Sequence, residues 1–237
     1  MSALQGPVAT VNGIIRAIQP EELANPHCDT ETWWLIAAEY PLDAMQSVLF
    51  PLLTLEAPER WQTMESAKMA QWVDTCIQWL SPSQEHAYAA DCAEHVLPLW
   101  MEKEPKDKSP HEAIWHRRLY AMTIGSDSAP AFKARWEKAK LEAEGAAHGL
   151  HHRVSYGGSM GLDYAGEAAL VAATEEIYWV VHKAAMAVGK RAVVLFVGSG
   201  YGGSRNPEQH QAHLMGKHGE TRWQWERLQQ YLRGEVP

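Results

Sequence analysis

The sequence predicts an all-α chain, a multi-helix bundle, with a single stretch at Ala192–Val197 that leaves room for one short β element. Three observations carry that prediction. Apolar residues recur at helical spacing along most of the chain. Helix-start signatures of Ser followed by Pro precede two of the periodic segments. Hydrophobic residues make up 46% of 237 residues and charged ones 21%, which is enough apolar matter for a core and too little charge for disorder.

In the N-terminal part, Asp29 or Thr30 is placed to cap a helix through Trp33, Trp34, Ile36 and Ala37. Leu42 to Phe50 reads as helical until Pro51, and Ala57 to Leu80 as one long helix. Within the latter, Met69, Trp72, Val73, Cys76, Ile77 and Leu80 share one face. Ser81, Pro82 and Gln84 then form a capping-box signature ahead of Ala89, Cys92, Ala93, Val96, Leu97, Trp100 and Met101. Pro98 lies inside that helix and should kink it near Glu94–Leu97, at a cost of roughly 3 kcal/mol unless packing compensates. Ser109, Pro110 and Glu112 repeat the signature before Ile114, Trp115, Leu119 and Met122.

Beyond Gly125, a turn over Ser126–Pro130 feeds a helix lined by Phe132, Trp136, Ala139, Ala143 and Ala146. Tyr156–Gly161 is a glycine-rich break. One long alanine-rich helix is expected from about Leu162 to Val188, and a last one over Glu220–Arg233. Ala192–Val197, with three valines, has the composition of a buried strand that would pair with Arg153–Tyr156 or another chain; the end of a helix fits it equally. The organisation expected is an acidic helical subdomain over residues 1–80 and a helical domain over 81–237 with a glycine-rich insert at 189–207.

Charge is uneven. Residues 1–100 hold thirteen acidic residues against three basic ones, whereas 101–237 hold sixteen against eighteen. A duplex-binding surface needs clustered cations, so direct nucleic-acid binding is not expected. No apolar run reaches membrane-spanning length, and no secretory signal is apparent. Cys28, Cys76 and Cys92 follow no disulfide or zinc spacing, so a reducing cytoplasm is the expected setting.

The chemistry-bearing patterns are weak. Gly198, Gly200 and Gly203 formally match G-x-G-x-x-G, but Arg205, Asn206 and Pro207 interrupt the helix a dinucleotide site needs. That stretch reads as a surface loop, with Tyr201 a candidate for partner contact. Among twelve histidines, His148, His151 and His152 cluster, as do His210 and His213, without a metalloenzyme frame. Cys76 and Cys92 fall on apolar stripes, where a thiol is inert core. The carboxylate pairs Glu21–Glu22 and Glu175–Glu176 read as helix-surface charges. No catalytic residue, no metal ligand set and no cofactor is therefore expected, and the chain is not read as an enzyme. A small metal- or nucleotide-dependent enzyme built on the His clusters is the alternative of another class.

Eleven tryptophans are many, and most fall on apolar faces. Trp33 and Trp34 are adjacent and diverge by about 100° on a helix, and Trp223 and Trp225 cannot both face one core. An exposed Trp beside acid is a feature of protein-binding hot spots.

Two stretches bear a family resemblance. Ala90–Trp100 (ADCAEHVLPLW), followed by Glu104–Ile114 (EPKDKSPHEAI), resembles the opening of an immunity protein family of bacterial polymorphic toxin systems. The closing Glu220–Leu228 (ETRWQWERL) is similar to that family's last helix. The likeness covers about residues 85–147 and 165–233. His95 departs from the family's usual Arg, Lys108-Ser109 alters its turn, and Ala192–Pro207 looks inserted. The resemblance implies a cytoplasmic, cofactor-free helical protein that binds and neutralises a toxin or effector, with a basic protein as partner and no membrane. The acid-rich N-terminal part, around Glu31, Trp33, Trp34, Glu39 and Asp43, would make the contact through electrostatic steering. An inhibitor of a bacterial defence complex, encoded by a phage or mobile element, would use the same physics.

Overall fold

A computed structural model describes residues 8–11, 14–17, 73–74, 76–156, 163–197, 207–232 and 234–236. The chain divides into two compact units, Met1–Met64 and Glu65–Pro237. In the first, β1 (Val8–Val11) pairs antiparallel with β2 (Ile14–Ala17), Val11 opposite Ile14. The sequence reading did not anticipate this hairpin.

The second unit is helical. A 3₁₀ turn, Ile77–Trp79, leads into α1 (Pro82–Met101), α2 (Ser109–Thr123), α3 (Ala129–Tyr156), α4 (Tyr164–Ala173), α5 (Ile177–Val197) and α6 (Pro207–Leu232). Most of its described residues lie in these helices, so the all-α bundle is the architecture. Ala192–Val197 is the last part of α5 and Arg153–Tyr156 the end of α3. The β element is thus replaced by helix: Ala192 and Val193 are buried while Leu195 is exposed, which is helical sidedness.

The starts of α1 and α2 have a local cause. The Ser81 side chain accepts the Gln84 N–H, and Gln84 Oε1 accepts the Ser81 N–H at 3.0 Å, a completed capping box. Pro98 is accommodated three residues before the end of α1, on its exposed side. Ser109 is the first helical residue of α2 rather than its cap. Asp107 Oδ1 takes the role expected of Ser109, accepting from the Ser109 N–H at 2.9 Å and its hydroxyl at 2.6 Å. The last helix begins at Pro207, well before the expected Glu220.

The expected continuous helix from Leu162 to Val188 is broken at Thr174–Glu176 into α4 and α5. Arg117, 1% exposed on α2, explains the break. Its Nη1 donates to the Thr174 carbonyl at 2.6 Å and its Nη2 to the Glu175 carbonyl at 2.8 Å. Those carbonyls are drawn out of helical register, and the cation sits at the negative end of α4. Burial pulls the guanidinium's pKa down to about 10, opposed by Glu85 and Glu175.

The core is organised around α4. Eight of its ten residues are buried, five of them alanine, and it packs on α1, α2, α3 and α5. Small side chains let four helices approach a fifth closely. Against α3, Trp136, Ala139, Ala143, Ala147 and Leu150 supply the buried stripe. The α5–α6 pair is closest at Gly189 and Gly216: a Cβ on Gly216 would lie 2.8 Å from the Val188 carbonyl oxygen and from Ala192 Cβ. Because α6 packs against α1 as well as α5, it stands beside α1 on one side of the bundle. That placement creates the site.

Candidate functional site

Asp91 is an acid on an otherwise apolar face of α1, between the buried Ala90 and Cys92, and is itself 7% exposed. Burying a carboxylate is costly unless its oxygens find donors. Three reach it. Arg118 Nη2 of α2 donates to Oδ1 at 2.6 Å, while Arg227 Nε and the Tyr231 hydroxyl, both of α6, donate to Oδ2 at 2.7 Å. One side chain thus ties three helices together at the base of a cleft of about 420 Å³.

Helical spacing sets the walls. On α1, Asp91, Glu94 and His95 stand at offsets 0, 3 and 4; on α6, Trp223, Glu226, Arg227 and Gln230 stand at 0, 3, 4 and 7. Each set is one helical stripe, and packing α1 beside α6 turns the stripes toward the same space. Arg118 Nη2 also donates to Glu94 Oε2 at 2.6 Å, and Arg227 Nη1 to Gln230 Oε1 at 2.5 Å. Burial alone would lower the pKa of both guanidiniums. Bonds to Glu94 and Asp91 for Arg118, and to Asp91 for Arg227, carry them above the ordinary arginine value. The Tyr231 phenol is pushed up first by burial and then by the Asp91 charge, so it remains a donor.

A flat aromatic pair also lines the cleft. His95 stacks on Trp223 with ring centroids 3.7 Å apart and planes within 1°. The imidazole is fixed in that pose by Nδ1, which lies 2.9 Å from Glu220 Oε2. Glu220 is buried, and its other oxygen accepts from Gln224 Nε2 at 3.2 Å. Gln224 Nε2 donates in turn to the Val181 carbonyl of α5 at 3.1 Å, so the platform is anchored through two layers of the bundle. Glu94 and Glu226 stand at the rim, with 51% and 59% of their side chains exposed. The carboxylates Asp91, Glu94 and Glu226 against the guanidiniums of Arg118 and Arg227 give the lining a sum of −1. This arrangement can bind a charged, planar group; it presents no nucleophile paired with a base.

Of the residues singled out in the sequence, Glu31, Trp33, Trp34, Glu39, Asp43 and Tyr201 lie outside the described residues, as do Cys28 and the Gly198–Gly203 motif. Cys76 and Cys92 are fully buried, and burial pushes both thiols far above their usual pKa. The His148–His152 group does not converge: His148 faces Glu144 at 3.7 Å and His151 faces Asp163 at 3.5 Å. His213 instead packs against Gly189. Among the described residues no group of three or more His, Cys, Asp or Glu is placed to share a metal ion, and no helix is long and apolar enough to cross a membrane. Trp225 is buried and Trp223 takes the cleft, which resolves the pair that one core could not hold.

Of the cleft's residues the sequence reading singled out only Trp223; it assigned no site role to Asp91, Glu94, His95, Arg118, Glu226, Arg227, Gln230 or Tyr231. Arg118 carried no local signal, because its partner Asp91 is 27 positions away. Asp91 itself did carry one, an acid embedded in an apolar stripe. Comparison with family models, with curated proteins and with solved structures yields no match to this chain.

Proposed function

We propose that this chain is a protein-binding inhibitor of the immunity type, which neutralises a basic toxin or effector in the cytoplasm by stoichiometric binding, without turnover or cofactor. The observation that carries this reading is the coincidence of two sets of residues. Two of the three stretches that bear the family resemblance, Ala90–Trp100 and Glu220–Leu228, lie on helices that face each other across the cleft, while Glu104–Ile114 does not line it. The cleft has the composition of an interaction hot spot: Trp and Arg held rigidly at its base, acid at its rim and a stacked aromatic platform. Exposed Trp115 and Met122, three residues before and four after Arg118 on α2, extend an apolar margin along the same helical stripe. The acid excess of the first hundred residues supplies long-range attraction for a basic partner.

The test is capture of the partner from the native host, followed by reconstitution. The expected partner is basic, binds one to one and associates more slowly as salt rises. It should arrest growth when expressed alone and be tolerated with this chain. Failure to protect cells at equimolar expression would refute the reading, as would an association rate indifferent to salt.

A further inference from the structure

Resting on that reading, we infer that the cleft between α1, α2 and α6 is a receptor for one arginine side chain of the partner, which lies on the His95–Trp223 stack and pairs with Glu94 and Glu226. Four observations converge on a guanidinium.

Charge comes first. The lining carries −1, so an incoming cation brings the site to neutrality, whereas an anion would raise it to −2. Secondly, both resident arginines already pair with acid or amide, Arg118 with Asp91 and Glu94 and Arg227 with Asp91 and Gln230, so much of the charge they would offer an anion is offset. Thirdly, the rim acids keep acceptor capacity. Glu94 uses Oε2 for Arg118, and Glu226 uses Oε1 for Arg222 at 3.1 Å. The second oxygen of each is left to meet a planar fork, the geometry in which guanidinium excels.

The fourth observation is the platform. A stacked imidazole and indole, with 39% of the His95 side chain exposed, offer a flat π surface in a cleft already partly shielded from water. Guanidinium stacks on such a surface, while an ammonium, compact and strongly hydrated, gains less. The Glu220–Gln224–Val181 chain holds the platform before the partner arrives, so little ordering cost falls on association.

The probes are hexa-arginine and hexa-lysine peptides, titrated into the full chain at about physiological salt and followed by tryptophan fluorescence and calorimetry. Hexa-arginine is expected to bind at least about fivefold more tightly than hexa-lysine. The double variant Glu94→Gln/Glu226→Gln, altered only at exposed positions, should keep its thermal melt and weaken hexa-arginine by about tenfold or more. Trp223→Leu should erase most of the preference for arginine over lysine. Equal binding of the two peptides, or hexa-arginine binding unchanged in the Glu94/Glu226 variant, would overturn the inference. So would a failure to bind at all. These outcomes are separable from the functional reading: a protective complex that survives Glu94→Gln/Glu226→Gln would leave the inhibitor standing and remove the arginine receptor. Peptide binding without protection would do the reverse.

Discussion

Asp91→Asn is the sharpest structural probe of the cleft. The substitution keeps shape, removes a negative charge and exchanges one acceptor oxygen for an NH₂ donor. Whichever way the amide sits, it faces donors on both sides: Arg118 on one, Arg227 and Tyr231 on the other. At least one donor is left opposing another. All three bonds lose the carboxylate's charge, and a bond to a charged group is worth about 1.5–3 kcal/mol. Removing one partner of a wholly buried ion pair costs about 3–5 kcal/mol. Here the arginines are 30% and 29% exposed and can turn partly to water, and Arg118 can lean on Glu94. The lower end, about 3 kcal/mol, is therefore expected. For a unit of this size that lowers the melting temperature by about 6–12 °C. Urea denaturation followed by circular dichroism should show the midpoint falling with an unchanged slope. In a double-mutant cycle with Arg227→Met, the two changes should couple by about 1 kcal/mol or more. A loss below about 1 kcal/mol, or strict additivity, would mean that water replaces these bonds freely and that Asp91 does not hold the three helices together.

The other predictions concern packing and ionisation. Gly216→Ala should cost about 1–3 kcal/mol in chemical denaturation, because the new methyl meets the Val188 carbonyl and Ala192 across the α5–α6 contact. Gly189→Ala should cost less, since the atoms it meets belong to the movable His213 and Lys217 side chains; the reverse order would show the crossing to be looser than described. His86 packs edge-on to Trp136, and burial, with Arg117 second, lowers its pKa from 6.5 to about 4. The unfolded chain therefore takes up the His86 proton first, and stability should fall as pH drops from about 6.5 towards 4, then level off with respect to this group. His86→Phe should flatten that slope, and an unchanged slope would assign it elsewhere. In a Cys28→Ser background, Cys76 and Cys92 should resist a thiol reagent at pH 8 until the chain is unfolded; rapid labelling of either would contradict their burial.

Local signals in this chain were faithful where a residue's environment is made by its own neighbours. The capping box at Ser81 appeared as read, and so did the apolar stripe through Cys92, Val96 and Trp100. The hairpin of β1 and β2 went unread although Asn12-Gly13, between Val8–Val11 and Ile14–Ala17, is the two-residue signal such hairpins use. Ala192–Val197 stayed open between a strand and the end of a helix because six apolar residues carry no period by themselves, and it is the end of a helix. The run became helix through the 15 residues of α5 that precede it. Thr174–Glu176 misled for the opposite reason: nothing local ends that helix, and the break depends on a guanidinium 57 positions earlier.

Residue order alone was enough to show that the chain is helical, where several helices start, which thiols are inert and how charge is shared between its two ends. Periodicity, capping and composition are short-range properties, and a linear chain displays them directly. It took the packing of the helices to bring Asp91 to Arg118, Arg227 and Tyr231, to lay His95 flat on Trp223, and to set Glu94 and Glu226 over the same cleft. Those pairs are separated by 27 to 140 positions. Their meeting is fixed by how small residues on α4 and the Gly189–Gly216 contact let whole helices approach, a consequence of packing that no single segment contains.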